Sequence, residues 1–151
     1  MLRRLAIIVI LLGIVSLAMG VGFIYQGVTN SNLLAENMRI EEVNLGIEAT
    51  AAEAGELVDT LDEAQTAADA VREHRQGIAR TYEDLLAGER FDPTNPSHLS
   101  YAQALNLENY LYLAVVGFGL TTVITISGIF MLVVAIALGA TGAVLFRLAR
   151  E

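Results

Sequence analysis

The stretch LAIIVILLGIVSLAMGVGFIY (residues 5–25) decides the fold, because it carries no charged side chain anywhere along its length. As a helix rising about 1.5 Å per residue it reaches roughly 31 Å, which matches a hydrocarbon core of about 30 Å. A cleaved signal peptide is the alternative, since the segment 16–18 offers small residues to a peptidase. The apolar run nevertheless exceeds the roughly 7–15 residues of a signal peptide's apolar region, which predicts an uncleaved signal anchor.

A second apolar block covers residues 109–146, where tyrosines are the only ionisable side chains. A single helix of this length would reach about 57 Å, more than a bilayer requires. We therefore expect residues 122–146 to cross the membrane and residues 110–121 to lie at or above its outer interface. Two spans would need more than about 40 residues and a turn signal. A hairpin of two short helices broken at Gly128 remains the alternative.

The composition excludes several classes of protein. Of the 151 residues 54% are hydrophobic, which is too apolar for an ordinary soluble domain of this size. The 17 acidic residues outnumber the 9 basic ones, all arginine, and the net charge of -8 argues against a nucleic-acid partner. With no cysteine, the chain has no disulfide, no thiolate metal site and no cysteine nucleophile.

The charges also predict an orientation. Arg3, Arg4, Arg147 and Arg150 flank the two apolar blocks, whereas every acidic residue except Glu151 lies between the blocks. Basic flanks stay in the cytoplasm, so both termini should be cytoplasmic and the acidic segment extracytoplasmic.

These observations predict an all-α protein of the plasma membrane, with two transmembrane helices and an extracytoplasmic helical hairpin or small bundle between them. Residues 1–25 form the N-terminal transmembrane helix and residues 26–109 the acidic extracytoplasmic segment. Residues 110–151 form the C-terminal transmembrane helix with a short basic cytoplasmic tail.

The segment between the blocks reads as helix. The first span should continue outward until Asn44-Leu45-Gly46, where positive φ is tolerated and a helix can end. A heptad seam follows, with a charged interruption at Arg75 and a weak point at Gly77. The seam residues are Leu57, Leu61, Ala64, Ala68, Val71, Ile78, Tyr82 and Leu85.

Helix ends are marked by their capping residues. Thr60 and Glu63 fit a capping box, so a helix can start there. Gly88 suits a C-terminal cap after the seam. Asn95 can cap a new helix with Pro96 at its first position, and that helix should run uninterrupted into the second span.

Small residues recur at helical spacing inside both spans, which lets helix backbones approach in lipid. Either the protein's own two spans pack through these residues, or the residues contact another copy or another membrane protein. The predicted packing residues are Ser16 and Gly20 in the first span, and Ala135, Gly139, Gly142 and Ala143 in the second.

No catalytic or metal-binding motif is present. His74 and His98 are interpreted as solvated surface histidines, because nothing in their spacing requires the convergent ligand set of a metal site. An acidic cluster is interpreted as a solvated helix face, since it lacks the spacing of a calcium-binding loop. Its members are Glu53, Glu56, Asp59, Asp62 and Glu63.

The membrane blocks contain no Asp, Glu, Lys, Arg or His, which counts against a proton relay or an ion-coupled transporter. One polar patch occurs, and its hydroxyls should bond back to their own helix. It comprises Thr121, Thr122, Thr125 and Ser127.

Three stretches carry a resemblance: VREHRQGIARTYEDLL, RFDPTNP and LSYAQALNLENYLYLAVVGFGLTT. They resemble a group of small uncharacterised two-span bacterial membrane proteins, and the likeness covers most of the chain. Some members are labelled aromatic ring-opening dioxygenases. Such enzymes need a ligand set like two His and one carboxylate on iron, and this sequence shows none. The resemblance therefore implies the architecture and supplies no mechanism.

The leading hypothesis is a non-enzymatic membrane protein, a structural or accessory subunit that works through helix–helix association. No cofactor is expected, and the expected partners are the lipid bilayer and either another copy or another membrane protein. The alternative is an extracytoplasmic sensor or ligand-binding module that signals through a membrane partner. An enzyme is the third hypothesis.

Overall fold

The computed structural model describes residues 2–40 and 57–150. Over these residues every regular element is a helix, as the sequence predicted. The helices are α1 (Leu2–Ile40), α2 (Leu61–Ile78), α3 (Tyr82–Leu86) and α4 (Pro96–Leu148). The predicted break at Asn44-Leu45-Gly46 lies outside the described residues.

Two of the helices, α1 and α4, are long and apolar enough to cross a membrane. The prediction of two long apolar helices is therefore confirmed. The α4 helix begins at Pro96 and continues through Gly128 without a break. The alternative of two short helices separated at Gly128 is therefore wrong, because no turn interrupts the backbone hydrogen bonding there.

The chain divides into two compact units. We call the first the helix-pair unit; it comprises Met1–Ser31 and Leu120–Glu151. We call the second the bundle unit; it comprises Asn32–Gly119. Both α1 and α4 contribute residues to each unit.

The bundle unit has a hydrophobic core formed by the end of α1, the helix α2 and the first half of α4. Its α2 contribution consists mainly of alanines, whose small side chains let neighbouring helices approach closely. The buried core residues are Met38, Val58, Ala64, Ala67, Ala68, Leu111, Ala114 and Phe118.

The predicted seam does not lie on one continuous helix. The α2 helix ends at Ile78, directly after Gly77, and Ala79 is extended. A second capping box then starts α3: Thr81 accepts the backbone N–H of Asp84, whose carboxylate accepts the N–H of Thr81. This reciprocal pair stabilises a new helix start, which interrupts α2 where the heptad pattern alone predicts continuation.

The other predicted helix starts are confirmed. Glu63 donates its N–H to the Thr60 hydroxyl at 3.3 Å, and its carboxylate accepts the N–H of Thr60 at 2.9 Å. Asn95 accepts the N–H of Ser97 at 3.0 Å, and Pro96 is the first residue of α4. Near the predicted cap at Gly88, the left-handed conformation already begins at Ala87, with φ 47°.

Candidate functional site

A seven-residue repeat of small residues joins α1 to α4 in the helix-pair unit. On α1 it comprises Ala6, Gly13, Gly20 and Gly27, all buried. On α4 it comprises Thr121, Gly128, Ala135 and Gly142, also buried. Close approaches pair Ala6 with Gly142, Gly13 with Ala135, Gly20 with Gly128 and Gly27 with Thr121.

This pairing fixes the packing of the two helices. From one contact to the next, the residue number increases by seven on α1 and decreases by seven on α4, so the two helices are antiparallel. A strict seven-residue repeat is typical of a left-handed supercoil, the usual arrangement of spanning helices.

The glycines are required by the distance between the backbones. A Cβ on Gly20 would lie 2.9 Å from the carbonyl oxygen of Gly128 and 2.9 Å from Cδ2 of Leu132. A Cβ on Gly142 would lie 2.5 Å from Cγ1 of Ile10, and one on Gly27 would overlap the Thr125 hydroxyl. At Gly20 and Gly27 a backbone carbonyl oxygen of α4 lies within 3.0 Å of the added Cβ, so any larger residue there would have to push the helices apart.

The structure divides the six predicted packing residues between two surfaces. Ser16, Gly20, Ala135 and Gly142 lie buried at the α1–α4 contact, and the Ser16 hydroxyl donates to the carbonyl oxygen of Met131 at 2.8 Å. Gly139 and Ala143 are exposed, and a Cβ on Gly139 would meet nothing within 4 Å.

Sequence reasoning missed five members of the repeat as packing residues: Ala6, Gly13, Gly27, Thr121 and Gly128. The predicted residues Ala135, Gly139 and Ala143 are spaced by four. Residues at this spacing turn gradually around α4 and so leave the surface that contacts α1. The signal was available in the sequence, because one small residue recurs every seven positions on both helices.

The hydroxyls of the polar patch bond to their own helix where the structure shows their partners. Thr125 donates to the carbonyl oxygen of Thr121 at 2.8 Å, and Ser127 donates to that of Val123 at 2.7 Å. The prediction that these hydroxyls bond back to the helix is confirmed for Thr125 and Ser127. These bonds satisfy the hydroxyls without any partner outside α4.

A buried ion pair lies in the bundle unit, between α2 and α4. The Nε atom of Arg75 is 2.5 Å from Oε2 of Glu108, and its Nη1 donates to the Tyr101 hydroxyl at 2.7 Å. The guanidinium carbon also lies 5.1 Å from the centre of the Tyr101 ring. All three residues are at least nine-tenths buried.

The pair explains the charged residue in the predicted seam. The hydrogen bond with Glu108 raises the pKa of Arg75, so the guanidinium remains charged. A buried charge is tolerated only when it is paired and hydrogen-bonded. Sequence reasoning noted Arg75 as an interruption but did not find Glu108, because the partner lies on another helix.

The seam residues occupy different surroundings. Leu61, Ala64, Ala68 and Val71 on α2 pack in or against the bundle core. Leu57 precedes α2, while Ile78 ends it, and both are half-buried. On α3, Leu85 is half-buried, and Tyr82 is exposed with its ring centre 6.2 Å from that of Tyr101.

The two histidines differ. His74 is exposed on α2, as predicted. The prediction of a solvated His98 is wrong, because this residue is buried. Its Nδ1 accepts the N–H of Asp92 at 3.0 Å, and its ring stacks on Phe91 with centres 5.5 Å apart. The turn before α4 folds back over the first turn of that helix and covers the imidazole.

A polar network lies beside the core of the bundle unit. Tyr112 donates its hydroxyl hydrogen to Oδ1 of Asp69 at 2.8 Å, and Gln65 donates to Oδ2 at 2.9 Å. The hydrogen bond from Gln65, followed by that from Tyr112, lowers the pKa of Asp69. The network thus joins α2 to α4 at a second point.

The acidic cluster is only partly within the described residues, since Glu53 and Glu56 lie outside them. Asp59 and Asp62 are exposed, and the Glu63 carboxylate caps α2. Within residues 2–40 and 57–150, no three His, Asp or Glu side chains are placed to hold a metal ion.

A shallow groove of about 330 Å³ lies on the bundle unit between α3, the turn after it and α4. Two aromatic rings and two amides line it. The lining residues are Tyr82, Phe91, Ala102, Leu105, Asn106 and Asn109.

Fold and contacts together define a helical protein with two candidate spanning helices joined through small residues. No family model, no curated protein and no solved structure matches this chain.

Proposed function

We propose that this protein is a non-enzymatic subunit of the plasma membrane that works by helix–helix association. In this proposal both termini are cytoplasmic and residues 26–109 are extracytoplasmic.

The outward surface of the helix-pair unit carries the proposal. Large apolar side chains point away from the α1–α4 contact along both helices: Ile8, Leu12 and Val15 on α1 are more than half exposed, as are Phe130 and Ile136 on α4. Such a continuous apolar surface is unfavourable in water, so lipid or protein must cover it.

Association is supported by the small residues that the α1–α4 contact leaves free. Gly139 and Ala143 are exposed and four residues apart on α4. Ala18 and Gly22 have the same spacing on the exposed surface of α1, and a Cβ on Gly22 would meet nothing within 4 Å. In lipid such pairs let a further helix approach the backbone closely.

Orientation can be tested directly because the chain has no cysteine. We expect E73C, on the exposed surface of α2, to react in whole cells with a thiol reagent that cannot cross membranes. We expect R150C to react only after the cells are opened. Labelling of E73C from the cell interior alone would overturn the proposed topology.

Association can be tested by crosslinking in native membranes. We expect the wild-type chain to crosslink to a second copy or to another membrane protein, and G139L/A143L to reduce that product. The matched control is A137L, because Ala137 is also a small, exposed residue of α4 but lies at a different angle around the helix. A monomer without any crosslinked partner would overturn the proposal.

The groove on the bundle unit favours one second candidate, a sensor or ligand-binding module. Its aromatic rings and amides are the groups that bind small planar or polar molecules. A small compound that raises the melting temperature of wild-type protein, but not of N106A/N109A, would support this function. The matched control is Q103A, which changes an exposed amide of α4 outside the groove lining.

A further inference from the structure

Four arginines gather at one end of the helix-pair unit. Because α1 begins at Leu2 and α4 ends at Leu148, the antiparallel pairing brings the basic residues of both helices together. The arginines are Arg3, Arg4, Arg147 and Arg150, and all four are exposed.

The ring of Phe146 contacts one arginine near each end of the chain. The guanidinium carbon of Arg3 lies 5.9 Å from the centre of the Phe146 ring, and that of Arg150 lies 4.9 Å from it. Cations at this distance are attracted by the ring, which restricts where the two guanidinium groups lie. Phe146 therefore places one charge from α1 beside one from α4.

Little within the unit compensates these charges. Its sequence contains a single acidic residue, Glu151, and no carboxylate pairs with the four arginines among the residues that the structure describes. The carbonyl end of α4 offsets part of the charge, and the amide end of α1 adds to it. The net surface is positive and borders the apolar faces of both helices.

We propose that this end of the helix-pair unit binds the headgroup of an anionic phospholipid. The inference rests on the proposed membrane function, because the apolar faces beside the arginines are where the acyl chains would pack. Beside Phe146 the phosphodiester of an anionic lipid would accept hydrogen bonds from the guanidinium groups of Arg3 and Arg150, without the cationic choline of phosphatidylcholine that these arginines would repel. Guanidinium matches phosphate well because its N–H groups form a planar fork.

The test compares phosphatidylglycerol with phosphatidylcholine on the full chain in neutral detergent, counting retained lipids by native mass spectrometry. We expect wild-type protein to prefer phosphatidylglycerol, and R3Q/R150Q to weaken that preference about tenfold. We expect F146L to weaken it as well, since the charges remain but the ring that places them is lost. The preference of the wild type should fall as salt is added.

The matched control is R80Q/R90Q, which removes two exposed arginines from the bundle unit and should keep the preference. The proposal is overturned if R3Q/R150Q keeps the wild-type preference, or if R80Q/R90Q loses as much. It is also overturned if inorganic phosphate alone raises the melting temperature as much as phosphatidylglycerol does.

Flotation with phosphatidylcholine vesicles separates this inference from the proposed function. A chain that floats with these vesicles but shows no headgroup preference contradicts the lipid site alone. A chain that floats with no vesicle contradicts the membrane function itself.

Discussion

Gly20 and Gly128 face each other across the helix pair with their backbones in contact. A Cβ on Gly20 would lie 2.9 Å from the carbonyl oxygen of Gly128, and a Cβ on Gly128 would lie 2.8 Å from that of Gly20. The obstacle on each side is backbone, which cannot rotate away as a flexible side chain can.

We expect G20A and G128A each to destabilise the helix pair by about 1–3 kcal/mol, because the added methyl group must push the backbones apart. The measurement is reversible unfolding in mixed micelles, followed by circular dichroism.

The matched controls are G22A and G139A, at helical glycines where a Cβ would meet nothing within 4 Å. Since alanine favours a helix over glycine by about 1 kcal/mol, these variants should be as stable as wild type or more stable. A G20A protein as stable as G22A would contradict the close contact.

Much of the helical fold could be predicted because its signals are local. The two apolar blocks are continuous in sequence, and their length alone indicates spanning helices. The capping box at Thr60 and the Asn95-Pro96 start lie within a few residues of the helix ends that they form. Thr81 and Asp84 carry the same kind of signal, but the heptad pattern through Leu85 predicts an uninterrupted helix there.

The contacts between helices were harder to predict, because each depends on a partner distant in sequence. Arg75 looks like a defect in the seam until Glu108 is placed beside it on α4. His98 looks exposed in a polar turn until Phe91 folds over it. The seven-residue repeat is readable on each helix alone, but its meaning depends on how the two helices pair.

The ion pair of Arg75 and Glu108 predicts opposite outcomes for single and double variants. We expect R75M and E108L each to destabilise the bundle unit by about 3 kcal/mol, because each leaves the partner group buried without its counterpart. The double variant R75M/E108L removes both charges and should lie near wild-type stability. The measurement is a double-mutant cycle from chemical denaturation.

The matched control for this cycle is R80M, which removes an exposed arginine beyond the end of α2. It should change stability by about 0.5 kcal/mol at most. If R75M cost no more than R80M, or if the single effects simply added in the double variant, the pair would not act as a unit.

Acid should weaken the start of α2 and the turn before α4. Burial tends to raise the pKa of Glu63, but the N–H groups of Asp59 and Thr60 outweigh it, so the pKa lies below its ordinary value of 4.5. The hydroxyl and the N–H of Thr94 lower the pKa of Asp92 from 3.8. Both carboxylates have a lower pKa in the folded state than in the unfolded state. They therefore stabilise the fold fully at any pH above the ordinary pKa values.

This stabilisation should disappear as the pH falls through the lower pKa values that the two carboxylates have in the folded protein. We expect the melting temperature to drop below about pH 4.5 and to drop less steeply in E63Q/D92N. The matched control E73Q, on the exposed surface of α2, should keep the wild-type slope. A double variant with an unchanged slope would contradict the role of these two carboxylates.

The two histidines form a matched pair, because His98 is buried and His74 is exposed. His98 holds the N–H of Asp92 through Nδ1 and stacks on Phe91 in the turn before α4. We expect H98A to cost about 1–3 kcal/mol, since it removes both an acceptor and an aromatic contact. H74A should change stability by about 0.5 kcal/mol at most. Amide hydrogen exchange gives a local measurement: the N–H of Asp92 should lose protection in H98A and keep it in H74A. Equal protection in the two variants would mean that the turn is held by the hydrogen bonds of Asp92 with Thr94 instead of by the imidazole.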